Sequence, residues 1–217
     1  MAIKLFTTLC CLFSLAHAGI QQKDFTGLGR IYVLQSEDWR TATPEQKLGC
    51  LSTQGRFIKD SSPEDCGVFA RLEDYPYTLS TKAGNCTFDD ETQERNTDSV
   101  YGQQDNAWSC KQGYKSEIYD ELYTITGFPY VFLCFGDIAC YYDAKRAPTA
   151  GEKLPLWQYR WGSQQRGITP GHIQLQLLWD KVGELPKRGG EDKAIPGPRV
   201  EIGDAVQVPL LGRRARR

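Results

Sequence analysis

Cysteine placement constrains this chain more than any other feature. Two of its eight cysteines, Cys10 and Cys11, fall in an N-terminal segment with the three parts of a secretory signal. Lys4 supplies the positive charge. Leu5 to Leu15 is an apolar run too short to span a bilayer as a helix, and Ala16-His17-Ala18 is a small-x-small cleavage site. Residues 1–18 are therefore expected to leave by cleavage after Ala18. Six cysteines remain: Cys50, Cys66, Cys86, Cys110, Cys134 and Cys140. An even number in a secreted chain reads as three disulfides.

Cys50 and Cys66 would close a short local loop, which makes them the best single pairing. The others stay open, because six cysteines allow many connectivities. A two-residue turn at Gly136-Asp137 would set Cys134 opposite Ala139 and turn Cys134 and Cys140 to opposite faces. A three-residue loop would set them opposite each other.

The strand signals outnumber the helix signals. Residues 30–34 are β-branched and aromatic, and Cys50-Leu51 with Arg56–Ile58 flank a glycine turn that reads as a hairpin. Val68–Leu72 reads as another strand, and residues 118–125 are ambiguous. Tyr130–Phe135 is a continuous apolar run, the strongest buried-strand signal in the chain. Residues 154–161 and 172–179 both alternate, which predicts a long hairpin. Trp157, Tyr159 and Trp161 would share one face of its first strand. The helix signal at Thr43-Pro44-Glu45-Gln46 is a capping box with proline at the first position, ended by Gly49 after about one turn. Together these predict an all-β sandwich or barrel with little helix, stabilised by disulfides. One domain spans 19–186. Residues 187–217 form a basic tail with glycines and prolines and a flexible connection. The tail carries eight basic residues against four acids.

Composition narrows the function classes. The chain is 40% hydrophobic and 24% charged, which excludes wholesale disorder. A formal net charge of −1 offers no basic excess for nucleic acid. No later stretch is long and apolar enough for a membrane span. The spacing of residues supplies no dinucleotide fingerprint, phosphate loop or Cys-x-x-Cys pair. Beyond the signal, His172 is the sole histidine. That excludes two-histidine ribonuclease and His-Glu-x-x-His zinc chemistry within one chain, and leaves His172 read as a structural strand residue. No metal or cofactor is expected, and no catalytic set is assigned.

Four features remain as candidates. Asn85-Cys86-Thr87 is an N-glycosylation acceptor sequence. Lys187-Arg188 is a dibasic processing site in a mobile setting. Trp157, Tyr159 and Trp161 would either pack in the core or form a platform for sugar rings. Trp39 and Trp108, in loops, are weaker platform candidates. A carboxylate pair for glycoside hydrolysis would come from Glu73, Asp74, Asp89, Asp90, Glu117, Asp120, Glu121 and Asp137. Residues 89–98 are expected to be an exposed acidic loop, with enough oxygen for calcium but no EF-hand spacing.

The signal, the six cysteines and the dibasic tail resemble the small secreted, effector-like proteins of filamentous fungi. Gly49-Cys50-Leu51, Asp65-Cys66-Gly67-Val68-Phe69 and Ala139-Cys140-Tyr141-Tyr142 carry the resemblance, which spans residues 29–142. It implies an extracellular binding role, as an apoplastic effector or elicitor, with a host extracellular protein or cell-wall polysaccharide as partner. A carbohydrate-active hydrolase and a wall carbohydrate-binding component are the alternatives. The resemblance transfers no site residue.

Overall fold

The computed structural model describes residues 25–73, 77–115, 117, 120–125, 127–136 and 140–186. The signal segment with Ala18, the turn at residues 137–139, Lys187-Arg188 and the rest of the tail lie outside these residues. The described residues contain strands and short 3₁₀ turns, with no α-helix among them. The expected fold class is therefore the observed one: an antiparallel, disulfide-linked sheet that curls on itself.

Two long strands form its spine. β1 (Gly27–Gln35) and β12 (Ile173–Gly183) run antiparallel, with Val33 opposite Leu177 and Ile31 opposite Trp179. The second edge of β1 is divided. Its first residues pair with β4 (Phe69–Arg71) and its last with β2 (Lys47–Leu51). From β2 the sheet continues through β3 (Phe57–Ile58) to β10 (Lys153–Leu154). From β4 it continues through β5 (Leu79–Thr81), β6 (Gly84–Thr87) and β7 (Ser109–Lys111). The second edge of β12 pairs with β8 (Phe132–Leu133) and β9 (Tyr142–Ala144), and β9 with β11 (Trp157–Gln158). Beyond the strand ladders, Trp108 donates its backbone N–H to Leu156 (2.8 Å) and Cys110 donates to Gln54 (3.0 Å). These bonds draw distant parts of the curl together.

Period-2 alternation decides which side chains fill the curl. Ile31 and Val33 from β1, and Leu175, Leu177 and Trp179 from β12, point inward. Phe57, Phe69, Leu79, Trp108, Tyr142 and Leu156 complete that core. Gly29 is required where it stands, because a Cβ there would lie 2.5 Å from the Trp179 ring. The opposite face is also covered. Leu34 and Leu178 meet Trp39, Ala42 and Phe132 over the Cys134–Cys140 bridge. The middle of the spine is thus covered on both faces, while Asp180, Lys181 and Val182 near the end of β12 are exposed.

The cysteines form three bridges: Cys50–Cys66, Cys86–Cys110 and Cys134–Cys140. The first is the local pairing expected from the sequence. The second joins directly opposite residues of β6 and β7. The hairpin at 50–58 forms as expected, with Cys50 opposite Ile58. The capping box is present too, Gln46 Oε1 accepting from the Thr43 N–H (2.8 Å) over a 3₁₀ turn at Pro44–Gln46.

Three expectations need correction. Residues 154–161 do not form a hairpin with 172–179. Both edges of β12 are taken by β1 and by β8 and β9, so β11 joins the sheet through β9. The apolar run 130–135 is a strand only over Phe132–Leu133, and its pairing continues as an isolated bridge from Cys134 to Tyr123. Finally, the acidic stretch 89–98 is irregular but not wholly exposed. Asp90 and Asn96 are buried within it, held by polar partners instead of apolar packing.

Candidate functional site: two loops joined by a buried carboxylate–histidine network

Asp143 lies on β9, on the face opposite the core residue Tyr142. It is completely buried. A buried carboxylate is costly unless its oxygens are bonded. Here every donor comes from elsewhere in the chain. His172 Nδ1 bonds Oδ1, while the Thr169 hydroxyl and Asn96 Nδ2 (3.2 Å) donate to Oδ2. His172 Nε2 faces Asp98 Oδ2 at 3.2 Å, and Lys145 Nζ reaches that oxygen at 2.9 Å. The indole of Trp157 lies along the imidazole, 5.9 Å between centroids and 27° from parallel. Lys145, and then His172, hold the Asp98 carboxyl below its ordinary value.

The network ties residues 96–105 to residues 160–172. Gln165 extends it. Its Oε1 accepts from the Val100 N–H (2.7 Å) and from Ser99 Oγ (3.3 Å), and its Nε2 donates to the Arg160 carbonyl (2.9 Å). The Arg160 guanidinium bonds Asp105 at 2.6 Å. Trp157 Nε1 donates to the Glu94 carbonyl at 2.9 Å. Two irregular loops are therefore clamped to each other and to the sheet by polar groups.

The clamped loops present aromatic surface. Trp161 is 71% exposed and Tyr101 is 42% exposed. With Val100 they make up three of the five large exposed hydrophobic side chains among the described residues, so the exposure is concentrated in these loops. The Tyr101 ring lies directly against Gly162, where a Cβ would come within 2.4 Å of it. Its hydroxyl meets Ser163 Oγ (3.2 Å) and accepts from the Gln164 N–H (3.0 Å), contacts that hold its pKa below the usual phenol value. Tyr101 is thus fixed beside the residue that follows Trp161.

The platform expected from Trp157, Tyr159 and Trp161 is accordingly divided. Trp157 is 1% exposed and belongs to the core. Tyr159 is half-buried, edge-on to Tyr141 at 5.7 Å. Trp161 alone stands out, because the strand ends at Gln158 and the alternation ends with it. Trp39 and Trp108, the weaker candidates, are both buried.

Two of the carboxylates considered for hydrolysis are committed to structural bonds. Asp90 is enclosed by Lys111 Nζ (2.5 Å), Ser109, Thr92 and Gln93. Asp120 accepts from the Tyr114 hydroxyl (2.8 Å) and the Glu117 N–H (2.8 Å). Asp74 and Asp137 lie outside the described residues. The carboxylates that do converge, Asp98 and Asp143, were absent from that set. The available signal was an aspartate within the otherwise apolar strand Tyr142–Ala144, in a chain with one histidine beyond its signal.

Asn85, the glycosylation candidate, is half-buried in β6 and donates its Nδ2 to the Tyr114 carbonyl at 3.0 Å. A glycan would take that nitrogen. Asp60 lies beside Cys50 and Cys66, but sulfurs joined in a disulfide offer no thiolate to a metal. No helix among the described residues is long and apolar enough to cross a membrane. No protein-family model, curated protein or solved structure matches the chain.

Proposed function

We propose that the protein is secreted and acts outside the cell by binding, with Trp161 and Tyr101 as its contact surface. The observation that carries this reading is two exposed aromatic rings, Trp161 and Tyr101, on loops that a buried polar network holds in place. Aromatic rings bury large area at low entropic cost when their backbone is already ordered, and they offer flat faces to sugar rings. Polysaccharide is therefore the partner class we favour. Secretion rests on the segment ending at Ala18 and fits the three disulfides. The setting at a host–fungus interface, as an effector or elicitor, rests on the sequence resemblance.

The test incubates the protein with insoluble plant and fungal polysaccharides. Depletion from the supernatant and release of reducing ends are assayed together. Depletion that Trp161→Ala abolishes, in a protein that stays folded, is the expected result. No depletion on any polysaccharide would reject the sugar partner, and equal depletion by Trp161→Ala would reject the surface. Release of reducing ends would favour the hydrolase instead.

A further inference from the structure

A second surface, sharing no residue with the first, is built around a buried cation. Arg71 sits on β4, opposite Gly27 of β1 and Leu79 of β5. Its side chain is 5% exposed. The guanidinium carbon lies 4.8 Å from the centre of the Phe25 ring and 5.0 Å from that of Tyr77, within the range of cation–π attraction.

Its hydrogen bonds are incomplete. Nη1 donates to the Leu72 carbonyl at 3.1 Å. Nη2 is 3.6 Å from Glu121 Oε1, an ion pair too long for a hydrogen bond. Nε is buried and has no partner. Burial, partly offset by Glu121, pushes the guanidinium below its ordinary value, so the site holds a cation at a cost. A buried donor left unmade is a standing demand for an acceptor.

A cavity of about 210 Å³ opens beside this group, walled by Phe25, Thr26, Arg71, Leu72, Glu73 and Tyr77. Its walls are mostly apolar. A dry protein cavity of about 150 Å³ accommodates benzene, so this space suits one aromatic ring with a small substituent. Tyr77 is the one non-glycine residue at positive φ among the described residues, at +56°. Backbone outliers of this kind cluster at ligand clamps.

We propose that the cavity binds a small aromatic monocarboxylate, with its carboxylate on Arg71 and its ring against Phe25 and Tyr77. A planar guanidinium matches a carboxylate through paired N–H donors. The ring supplies the apolar area that the walls bury. A single negative charge is specified because Glu73 lines the cavity and Glu121 adjoins Arg71, so a second charge on the ligand would meet repulsion.

The probes are benzoate, benzamide and phthalate, titrated into the full chain and followed by NMR. Benzoate is expected to saturate with Kd on the order of 1 mM or tighter. Benzamide, neutral and nearly the same shape, is expected to bind at least about ten-fold more weakly, and phthalate is weakened as well. The shifted ring signals are those of Phe25 and Tyr77, with Trp161 unmoved. Tyr77→Ala weakens benzoate about five-fold through loss of one ring wall. Benzamide binding as tightly as benzoate would remove Arg71 from the site. No benzoate binding up to tens of millimolar, or shifts centred on Trp161, would overturn the proposal. The three-ligand comparison on the unaltered protein needs no variant to fold, and it leaves the polysaccharide reading standing or falling by its own assay.

Discussion

Asp143 and His172 meet on a diagonal of the sheet. Asp143 is opposite Gln174 across β9 and β12, and His172 lies two residues before that partner. Such diagonal neighbours share a face and are within reach of long side chains. The contact places a carboxylate and an imidazole, both shielded from water, at the one point where β9, β12 and both clamped loops converge.

Asp143→Ala removes the acceptor for His172, Thr169 and Asn96 at once. Breaking a buried pair on one side costs about 3–5 kcal/mol, because the other member is left uncompensated. Urea denaturation measures that loss. Limited trypsin digestion should also reveal faster cutting at Arg95, because residues 96–105 lose their anchor. A variant with unchanged stability and unchanged digestion would show that the network does not position the loops.

Trp157 and Trp161 are four residues apart and should behave oppositely. Trp157→Ala empties core volume and is expected to cost about 3–5 kcal/mol. Trp161→Ala should change stability by less than about 0.5 kcal/mol, as exposed substitutions do. Thermal melts of the two variants, run beside the polysaccharide assay, check both statements.

Asp90 makes stability depend on pH with a definite sign. Burial alone would raise its pKa, but the Lys111 ammonium, Thr92 and Gln93 outweigh burial and hold it well below the ordinary carboxylate value. Its contribution is therefore full above the unfolded value near about 3.9. It fades as pH falls from there toward the depressed folded value. Asp90→Asn should destabilise the protein by about 2 kcal/mol at neutral pH, the half-exposed Lys111 tempering the loss. The variant should lose less further stability on acidification from about pH 5 to about pH 2 than the parent. Equal slopes of the urea midpoint with pH would exclude Asp90 as the source.

The three bridges close loops of different length, with sequence separations of 16, 24 and 6. In the chain-entropy account, loss of Cys86–Cys110 costs about 3.5 kcal/mol, Cys50–Cys66 about 3 and Cys134–Cys140 about 2.5. Paired Cys→Ser variants and their denaturation midpoints test the order.

At Asn85 the side chain is half-buried in β6 and one amide N–H is taken by the Tyr114 carbonyl. Intact-mass measurement of secreted protein before and after glycan removal is expected to show no difference. A mass shift would mean that the β6–β7 region accommodates the sugar after glycosylation of the open chain.

Local chemistry was the legible part of the sequence. The 50–58 hairpin, the Thr43 capping box and the Cys50–Cys66 bridge depend on neighbours in the chain, and all three are present. Partner choice among strands was not legible. Residues 154–161 and 172–179 alternate as a hairpin would, yet β12 finds β1 and β9, because alternation fixes a face and not an edge. The network was hidden for a related reason. Asp98, Asp143 and the Thr169–His172 turn come from three separate stretches, and only the assembled sheet brings their polar atoms together. Trp161 differs from Trp157 because the strand between them stops, a boundary the side-chain pattern continued straight through.

The register of the spine governs the order of assembly. Val33 waits for Leu177, so the central ladder cannot close until nearly the whole described chain is available. Topologies dominated by such distant pairings fold slowly and expose unpaired edges meanwhile. The cysteines, by contrast, find partners within a short reach. Oxidation is thus able to fasten the β2–β3 and β6–β7 corners while β1 still lacks its C-terminal neighbour. A chain made under reducing conditions would face the longest search of its folding with no fastened corners to shorten it.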